Sequence, residues 1–309
     1  MDSHDSLLIT GAFGFVGKSY LDWLIEQPPE IIPKNIALVS QSERPIDSKF
    51  QELGKQIINI RADLTKEWNF EFEPTHVLNF AADGSANSYT EEAGNRYFSI
   101  NKNLIKWLEG KSVDTLFHAS SGACNYGTNN AELGTFTELR PTMAHFVKKR
   151  LSVESEIMGY AKVKNLTIAR LFSFTGRHIL EKKQYAISNF LESAKRKKTI
   201  NIKGNPDTVR SYLAASDMAE WINCSLSRLG RSKDIIQIGS ENPITIFELA
   251  KYISNLSGCN IVIESTHEKK EIYLPNISQT RLALGVREKI DWKKQIKGLV
   301  DLLNETQSV

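Results

Sequence analysis

Leu7-Leu8-Ile9-Thr10 is a short, almost wholly apolar run, and Gly11-Ala12-Phe13-Gly14-Phe15-Val16-Gly17 follows it directly, ahead of an amphipathic stretch. The run reads as a buried strand and the stretch as a helix. The three glycines of the turn meet three separate demands. The first permits a tight turn, the second lets backbone approach a pyrophosphate, and the third lets helix and strand pack closely. A lone glycine triplet is a weak signal, but between a strand and a helix it specifies a dinucleotide site. NAD or NADP is therefore the expected cofactor, held by Gly11, Phe13, Gly14, Phe15 and Gly17.

β-rich runs at 7–10, 36–39, 57–61, 76–80, 115–119 and 166–171 alternate with helical patterns at 16–26, 96–108 and 150–160. That rhythm predicts an α/β fold, a doubly wound parallel (Rossmann) sheet, followed by a smaller mixed α/β substrate lobe. The expected division is 1–176 for the dinucleotide-binding domain and 177–309 mainly for the lobe, with segments around 205–245 returning to the sheet.

Further cofactor contacts are expected at the strand ends. Ser40 stands at the end of the second strand, where an acid would grip the adenosine ribose of NAD, and Arg44 is nearby. That pair favours NADP, because an arginine accommodates a 2′-phosphate; Arg44 also reads as a surface charge in a loop. Asp63, with Leu64 beside it, is placed to meet the adenine amino group. Ala81 and Ala82 are small enough to let the cofactor lie against backbone.

The 39 basic and 36 acidic residues leave a formal charge of +3, which gives no reason to expect nucleic acid as a partner. Cys124, Cys224 and Cys259 have neither disulfide nor zinc spacing, so no metal is expected. No secretory leader is legible, and no apolar run reaches membrane-spanning length. A cytoplasmic protein without a membrane partner is the expectation.

Taken together, the glycine turn, Asn101, His118-Ala119-Ser120-Ser121-Gly122-Ala123, Arg170-Leu171-Phe172 with Gly176, and Arg210-Ser211-Tyr212 with Asp217 resemble the extended short-chain dehydrogenase/reductases. Within these the chain resembles the NAD-dependent epimerase/dehydratase group, which modifies nucleotide-activated sugars. The resemblance runs from Thr10 to about Leu303. It implies a nucleotide-sugar substrate, contacted by Asn101, Ser120, Asn189 and Arg210, with Arg210 pairing to the diphosphate. It also implies a homodimer paired through two long helices, one of them beginning near Arg150.

Catalysis in that family uses a Ser or Thr together with a Tyr-x-x-x-Lys pair. Ser121 matches the hydroxyl, although Ser120-Ser121-Gly122-Ala123-Cys124-Asn125-Tyr126-Gly127 is one residue longer than the family pattern, and counting back from Tyr126 lands on Gly122. The segment from Pro141 to Glu154 contains no Tyr. Aligned from Pro141, it puts His145 and Lys149 on the pair; aligned back from Glu154, it puts Phe146 and Arg150 there. The first alignment keeps a proton carrier, so Ser121, His145 and Lys149 are the expected catalytic set. Tyr160-Ala161-Lys162-Val163-Lys164 spells the same pattern but sits at a helix end, as a decoy.

The expected function is that of an NAD(P)-dependent epimerase, dehydratase or keto-sugar reductase in the synthesis of surface polysaccharide precursors. The alternative is a dinucleotide-binding protein without turnover, in a regulatory or assembly role.

Overall fold

The computed structural model describes residues 3–41, 45, 47–82, 89–126, 141–160, 162–182, 185–228, 231–264 and 269–305, excepting the side chains at 141 and 142. Its first half alternates strand and helix: β1 (Ser6–Thr10), α1 (Phe15–Leu24), β2 (Asn35–Ser40), α2 (Lys49–Glu52), β3 (Gln56–Arg61), β4 (His76–Asn79), α3 (Glu91–Leu108), β5 (Thr115–Ser121), α4 (Pro141–Gly159) and β6 (Asn165–Leu171). The second half carries β7 (Phe174–Thr175), α5 (Ala186–Lys195), β8 (Ile200–Ile202), β9 (Val209–Arg210), β10 (Leu213–Ala214), α6 (Ala215–Leu226), β11 (Ser232–Ile238), β12 (Ile244–Thr245), α7 (Ile246–Ser257), β13 (Ile261–Ile263), α8 (Ser278–Leu284) and α9 (Trp292–Glu305).

Among the described residues the main sheet runs β11-β6-β5-β4-β1-β2-β3, with every neighbouring pair parallel. Leu7, Leu8 and Ile9 on β1 are fully buried, as expected of a strand covered by helices on both faces. Strand order reverses between β1 and β4, and ligands of such sheets bind beyond the strand ends at that point. The long reach to β11 brings a late segment back to the sheet edge. A separate apolar core, with Phe190, Leu191, Leu249, Ile253 and Ile296 at its centre, lies among α5, α7 and α9.

Two helices begin earlier than the apolar periodicity indicates. α3 starts at Glu91 because Thr90 caps it, accepting from the Ala93 N–H at 3.2 Å, and Glu91 and Glu92 favour the positive end of the helix. α4 starts at Pro141, whose fixed φ and missing N–H suit a first helical position.

Candidate active site

The glycine turn is built as its spacing demands. Gly11 has φ +66°, and a Cβ there would lie 2.8 Å from the Phe80 carbonyl and 2.9 Å from the Ala81 nitrogen. The turn is thus wedged against the end of β4. A Cβ on Gly17 would run into the Ala12 backbone, so that glycine lets α1 lie on β1. Gly14 is different: among the described residues its Cβ would meet only the Gly11 carbonyl oxygen, at 3.2 Å. Gly14 caps α1 with extended geometry and offers no side-chain acceptor, leaving the first-turn N–H groups for an anion. This cradle fits a dinucleotide diphosphate.

Phe13 and Phe15 turn their rings into the protein. Phe15 stacks on Phe174 at 4.2 Å and touches both the core beneath the sheet and that of the lobe, so these positions offer a ligand backbone rather than side chain. Ser40 closes β2, its carbonyl accepting from the Ala62 N–H at 2.9 Å; Arg44 lies outside the described residues. The Asp63 carboxylate accepts from the Thr65 hydroxyl at 2.7 Å and its N–H at 3.1 Å, which hold it below the usual carboxylate range. Leu64 is buried and its carbonyl accepts from Trp68. The Ala81 N–H donates to Thr10 Oγ1 at 3.3 Å, while Ala82 is exposed.

Behind the cradle runs a buried polar chain. Thr10 Oγ1 donates to Asn79 Oδ1 at 2.6 Å, and Asn79 Nδ2 donates to Asn101 Oδ1 at 2.7 Å and bonds His118 Nδ1 at 2.9 Å. Asn101 Nδ2 donates to the Tyr97 carbonyl at 2.8 Å, which fixes its amide orientation and hence that of Asn79. His118 Nδ1 must then accept, so Nε2 carries the proton and donates to the Tyr97 hydroxyl, 2.8 Å away. Burial, reinforced by the Arg150 cation, pushes His118 down to about 3, so the ring is neutral. Asn101 thus spends its Oδ1 joining α3 to β4 and its Nδ2 on the Tyr97 carbonyl of its own helix.

α4 settles which of its faces meets which neighbour. His145 and Lys149 face α3: a Cβ on Gly94 would touch His145 Cδ2 and Nε2 at 2.9 Å and Lys149 Cγ at 3.2 Å. The Lys149 ammonium stands 5.1 Å from the Phe98 ring centre, and His145 Nε2 is buried with no partner among the described residues. Phe146 instead joins Ala123, Tyr126 and Val147 beside the Ser121 end of β5. The Arg150 guanidinium is held between the Tyr97 ring, 4.2 Å away, and the Phe146 ring, 4.6 Å away. Its Nε is buried and lacks a partner among the described residues. The structure therefore turns His145 and Lys149 toward α3, and Phe146, with Arg150 against its ring, toward the cluster of Ala123 and Tyr126 that follows Ser121.

The expected substrate contacts fare unequally. Ser120 is buried and donates to Glu154 Oε1 at 2.5 Å, so its hydroxyl is committed inside the fold. Asn189 lies exposed on α5. Arg210 is paired with Glu271 at 2.7 Å, and its guanidinium lies 5.6 Å from the Tyr273 ring centre. Asp217 accepts from the N–H groups of Lys289 and Ile290 at 2.8 and 3.2 Å, which anchors the approach to α9.

Sequence reasoning missed Tyr273. Its ring lies 4.7 Å from that of Phe172 and 5.7 Å from that of Tyr126, it packs on the Phe146 cluster, and its hydroxyl lies near that of Ser121. Nothing in its local sequence marks it; only the fold carries this late segment over the end of β5. No group of three or more potential metal ligands occurs among the described residues, and no helix among them is long and apolar enough to cross a membrane.

A nucleotide cradle at the switch point of a parallel sheet, followed by a smaller C-terminal lobe, defines a dinucleotide-binding α/β protein of the short-chain dehydrogenase/reductase class. The NAD dependent epimerase/dehydratase family model matches residues 7–239, and the chain belongs to that family. It is 26% identical over 262 residues to dTDP-4-dehydro-6-deoxyglucose reductase of Escherichia coli, a match covering 81% of each chain. Its fold resembles UDP-glucuronic acid 4-epimerase from Bacillus cereus, solved with UDP-glucuronic acid and NAD (TM-score 0.77, 16% identity, 97% of this chain and 99% of that one). It also resembles RMD from Pseudomonas aeruginosa complexed with NADPH (TM-score 0.74, 20% identity, 98% and 99% coverage).

Proposed function

We propose that this chain is an NAD(P)-dependent enzyme acting on a nucleotide-activated sugar, and that its reaction is reduction of a keto-sugar. The observation that carries the first part is the glycine cradle: among the described residues a Cβ at Gly14 would meet only the Gly11 carbonyl oxygen, at 3.2 Å, and a diphosphate at the α1 terminus accounts for the bare backbone there. Arg150 takes the place of the family lysine, its unpartnered Nε–H suiting a ribose hydroxyl. Arg210 is the diphosphate ligand of the sugar, exchanging Glu271 for phosphate. NADP is the preferred dinucleotide, by virtue of Arg44, and the working unit is a cytoplasmic homodimer in surface polysaccharide precursor synthesis. A division at residue 176 goes with this reading.

Reduction is favoured over oxidation by what α4 presents to Ser121. Phe146 carries no proton, and an arginine stays protonated in proteins, so neither side chain removes a proton from a sugar alcohol. A carbonyl being reduced takes a hydride at carbon and a proton at oxygen, and that proton can come from a hydroxyl beside Ser121 or from solvent while Arg150 keeps its own. When bound, the reduced nicotinamide supplies the hydride. The E. coli relative is by its name a reductase of a keto-sugar nucleotide, which supports this choice. The second reading, cofactor binding without turnover, draws on the same Phe146.

Purified protein mixed with NADPH or NADH and a 4-keto-6-deoxy sugar nucleotide is expected to consume the reduced cofactor; its survival with every keto-sugar supplied favours binding alone. Because His145 faces α3, His145→Ala should leave cofactor affinity and turnover within about threefold. Arg150→Ala removes a charged hydrogen-bond donor from the cofactor, worth about 1.5–3 kcal/mol, and so weakens its uptake by roughly 10- to 100-fold. Titration of cofactor fluorescence on the two variants checks both; the reverse order of effects would restore His145 and Lys149 to the site.

A further inference from the structure

The missing phenol of α4 has a counterpart from the other end of the chain, and the inference rests on the reductase reading above. Tyr273 belongs to the segment that crosses from β13 to α8, and Val209 and Ile272 form an isolated bridge that ties it to β9. The Tyr273 N–H donates to the Val209 carbonyl at 3.1 Å. Its ring is fixed on both sides, by Phe172 at 4.7 Å and Tyr126 at 5.7 Å between centroids. Its hydroxyl ends near Ser121, the side chain that accepts from the Ala123 N–H at 3.2 Å. Among the aromatic residues of this cluster, Phe146 has no proton to give, whereas Tyr273 brings a hydroxyl to Ser121.

We propose that Tyr273 is the catalytic acid of this site, donating its phenolic proton to the oxygen of the sugar carbonyl while Ser121 polarises the same oxygen. The balance is complete with a reduced nicotinamide as the hydride source. The carbonyl carbon gains hydrogen with its electron pair, the C=O π pair moves to oxygen, and that oxygen takes the Tyr273 proton to become an alcohol. The phenolate regains its proton from solvent.

The groups that face the Tyr273 hydroxyl and ring are Ser121 of β5, Tyr126, Tyr89 and Arg210 of β9, the last paired to Glu271. Burial, with Tyr126 and Tyr89 adding to it, raises this phenol above the ordinary tyrosine range, and the Ser121 hydroxyl and Arg210 only partly oppose that. A raised value keeps the proton in place through neutral and mildly alkaline pH, which suits a donor and disfavours a base.

The test compares Tyr273→Phe with Tyr252→Phe, a control on the far side of the lobe where Tyr252 packs on Trp292. Tyr273→Phe keeps the ring packing. It should lower kcat for a UDP- or dTDP-linked 4-keto-6-deoxy sugar by about 100- to 10,000-fold, with cofactor affinity changed less than about threefold and sugar-nucleotide KM raised no more than about tenfold. Calorimetry gives a readout free of turnover. The variant should bind the keto-sugar nucleotide roughly tenfold more weakly, as one lost hydrogen bond to a carbonyl requires, and bind UDP or dTDP alone as the wild type does. Wild-type turnover should stay level across pH 6 to 9. A kcat within threefold of wild type in Tyr273→Phe overturns the proposal. If the wild type turns over no keto-sugar, the reductase reading fails by itself. The calorimetric comparison then decides the Tyr273 contact, and equal loss of keto-sugar and bare nucleotide binding counts against it.

Discussion

Gly14→Asp is expected to leave the protein as stable as before and to abolish its hold on NAD(P). The two effects have opposite origins at one backbone position. Gly14 is the N-cap of α1 and supplies no side-chain acceptor; aspartate is among the best N-cap residues and improves on glycine by a few tenths of a kcal/mol. Its Cβ meets among the described residues only the Gly11 carbonyl oxygen, at 3.2 Å, a contact that a small shift relieves. The new carboxylate, however, takes the N–H donors a pyrophosphate would use and sets a negative charge about 4 Å from it. At an effective dielectric of 20 one such charge pair costs about 4 kcal/mol, so even after screening the affinity should fall by roughly 100- to 1,000-fold. Fluorescence titration with NADH and NADPH, beside thermal melts without ligand, separates the effects. Gly17→Ala provides the contrast, because its Cβ collides with the Ala12 backbone and should lower the melting temperature first. Undiminished cofactor uptake by Gly14→Asp would remove the basis for placing the diphosphate there.

What the sequence made legible divides along physical lines. The strand Leu7-Leu8-Ile9-Thr10 and the glycine turn were readable because their demands are local: a buried run, a positive φ at Gly11 and a close approach at Gly17 each restrict a single position. The parallel sheet followed from repeating those local signals. The α4 ambiguity was not resolvable in the same way. His145 with Lys149 and Phe146 with Arg150 are both i, i+4 pairs, so each occupies one side of the helix. The segment has two apolar faces: Val153 and Ile157 enter one core beneath the sheet, and Phe146 and Val147 enter the cluster beside Ser121. A helix with two apolar faces does not announce which turns to the ligand. Asn101 and Ser120 show the complementary difficulty. A polar residue at a family position reads as a substrate contact, while in the fold its side chain also bonds another buried polar group. Tyr273 was invisible because its role depends on a pairing between distant segments, β9 and the stretch before α8.

The largest expected loss of stability lies in the charge pair beneath Ser121. Glu154 of α4 and Arg170 of β6 are both buried, at 3% and 7% side-chain exposure, and meet at 2.7 Å, with further bonds from Arg170 Nε to both carboxylate oxygens at 3.2 and 3.3 Å. Ser120 donates to the same carboxylate. Arg170 Nη1 donates to Asn125 Oδ1 at 3.0 Å, Asn125 Nδ2 to Gln237 Oε1 at 2.9 Å, and the Asn276 N–H to that oxygen at 3.0 Å. One pair therefore ties α4, β5, β6, β11 and the segment just after Tyr273. Glu154→Leu leaves a guanidinium buried without its counter-charge, a cost of about 3–5 kcal/mol, or roughly 10 °C in melting temperature for a chain of this size. Glu154→Leu combined with Arg170→Met removes both charges and should recover most of that loss, since a buried pair is worth little against apolar side chains of similar volume. Activity should not recover with it. The double variant removes the Glu154 oxygen that Ser120 donates to and the Arg170 group that donates to Asn125 Oδ1, so the end of β5 no longer holds Ser121 against Tyr273. Urea unfolding and keto-sugar turnover on the three variants test both halves. A single variant that loses less than about 1 kcal/mol shows the pair to be solvated, and a double variant with full turnover shows that Ser121 is held by the β5 backbone alone.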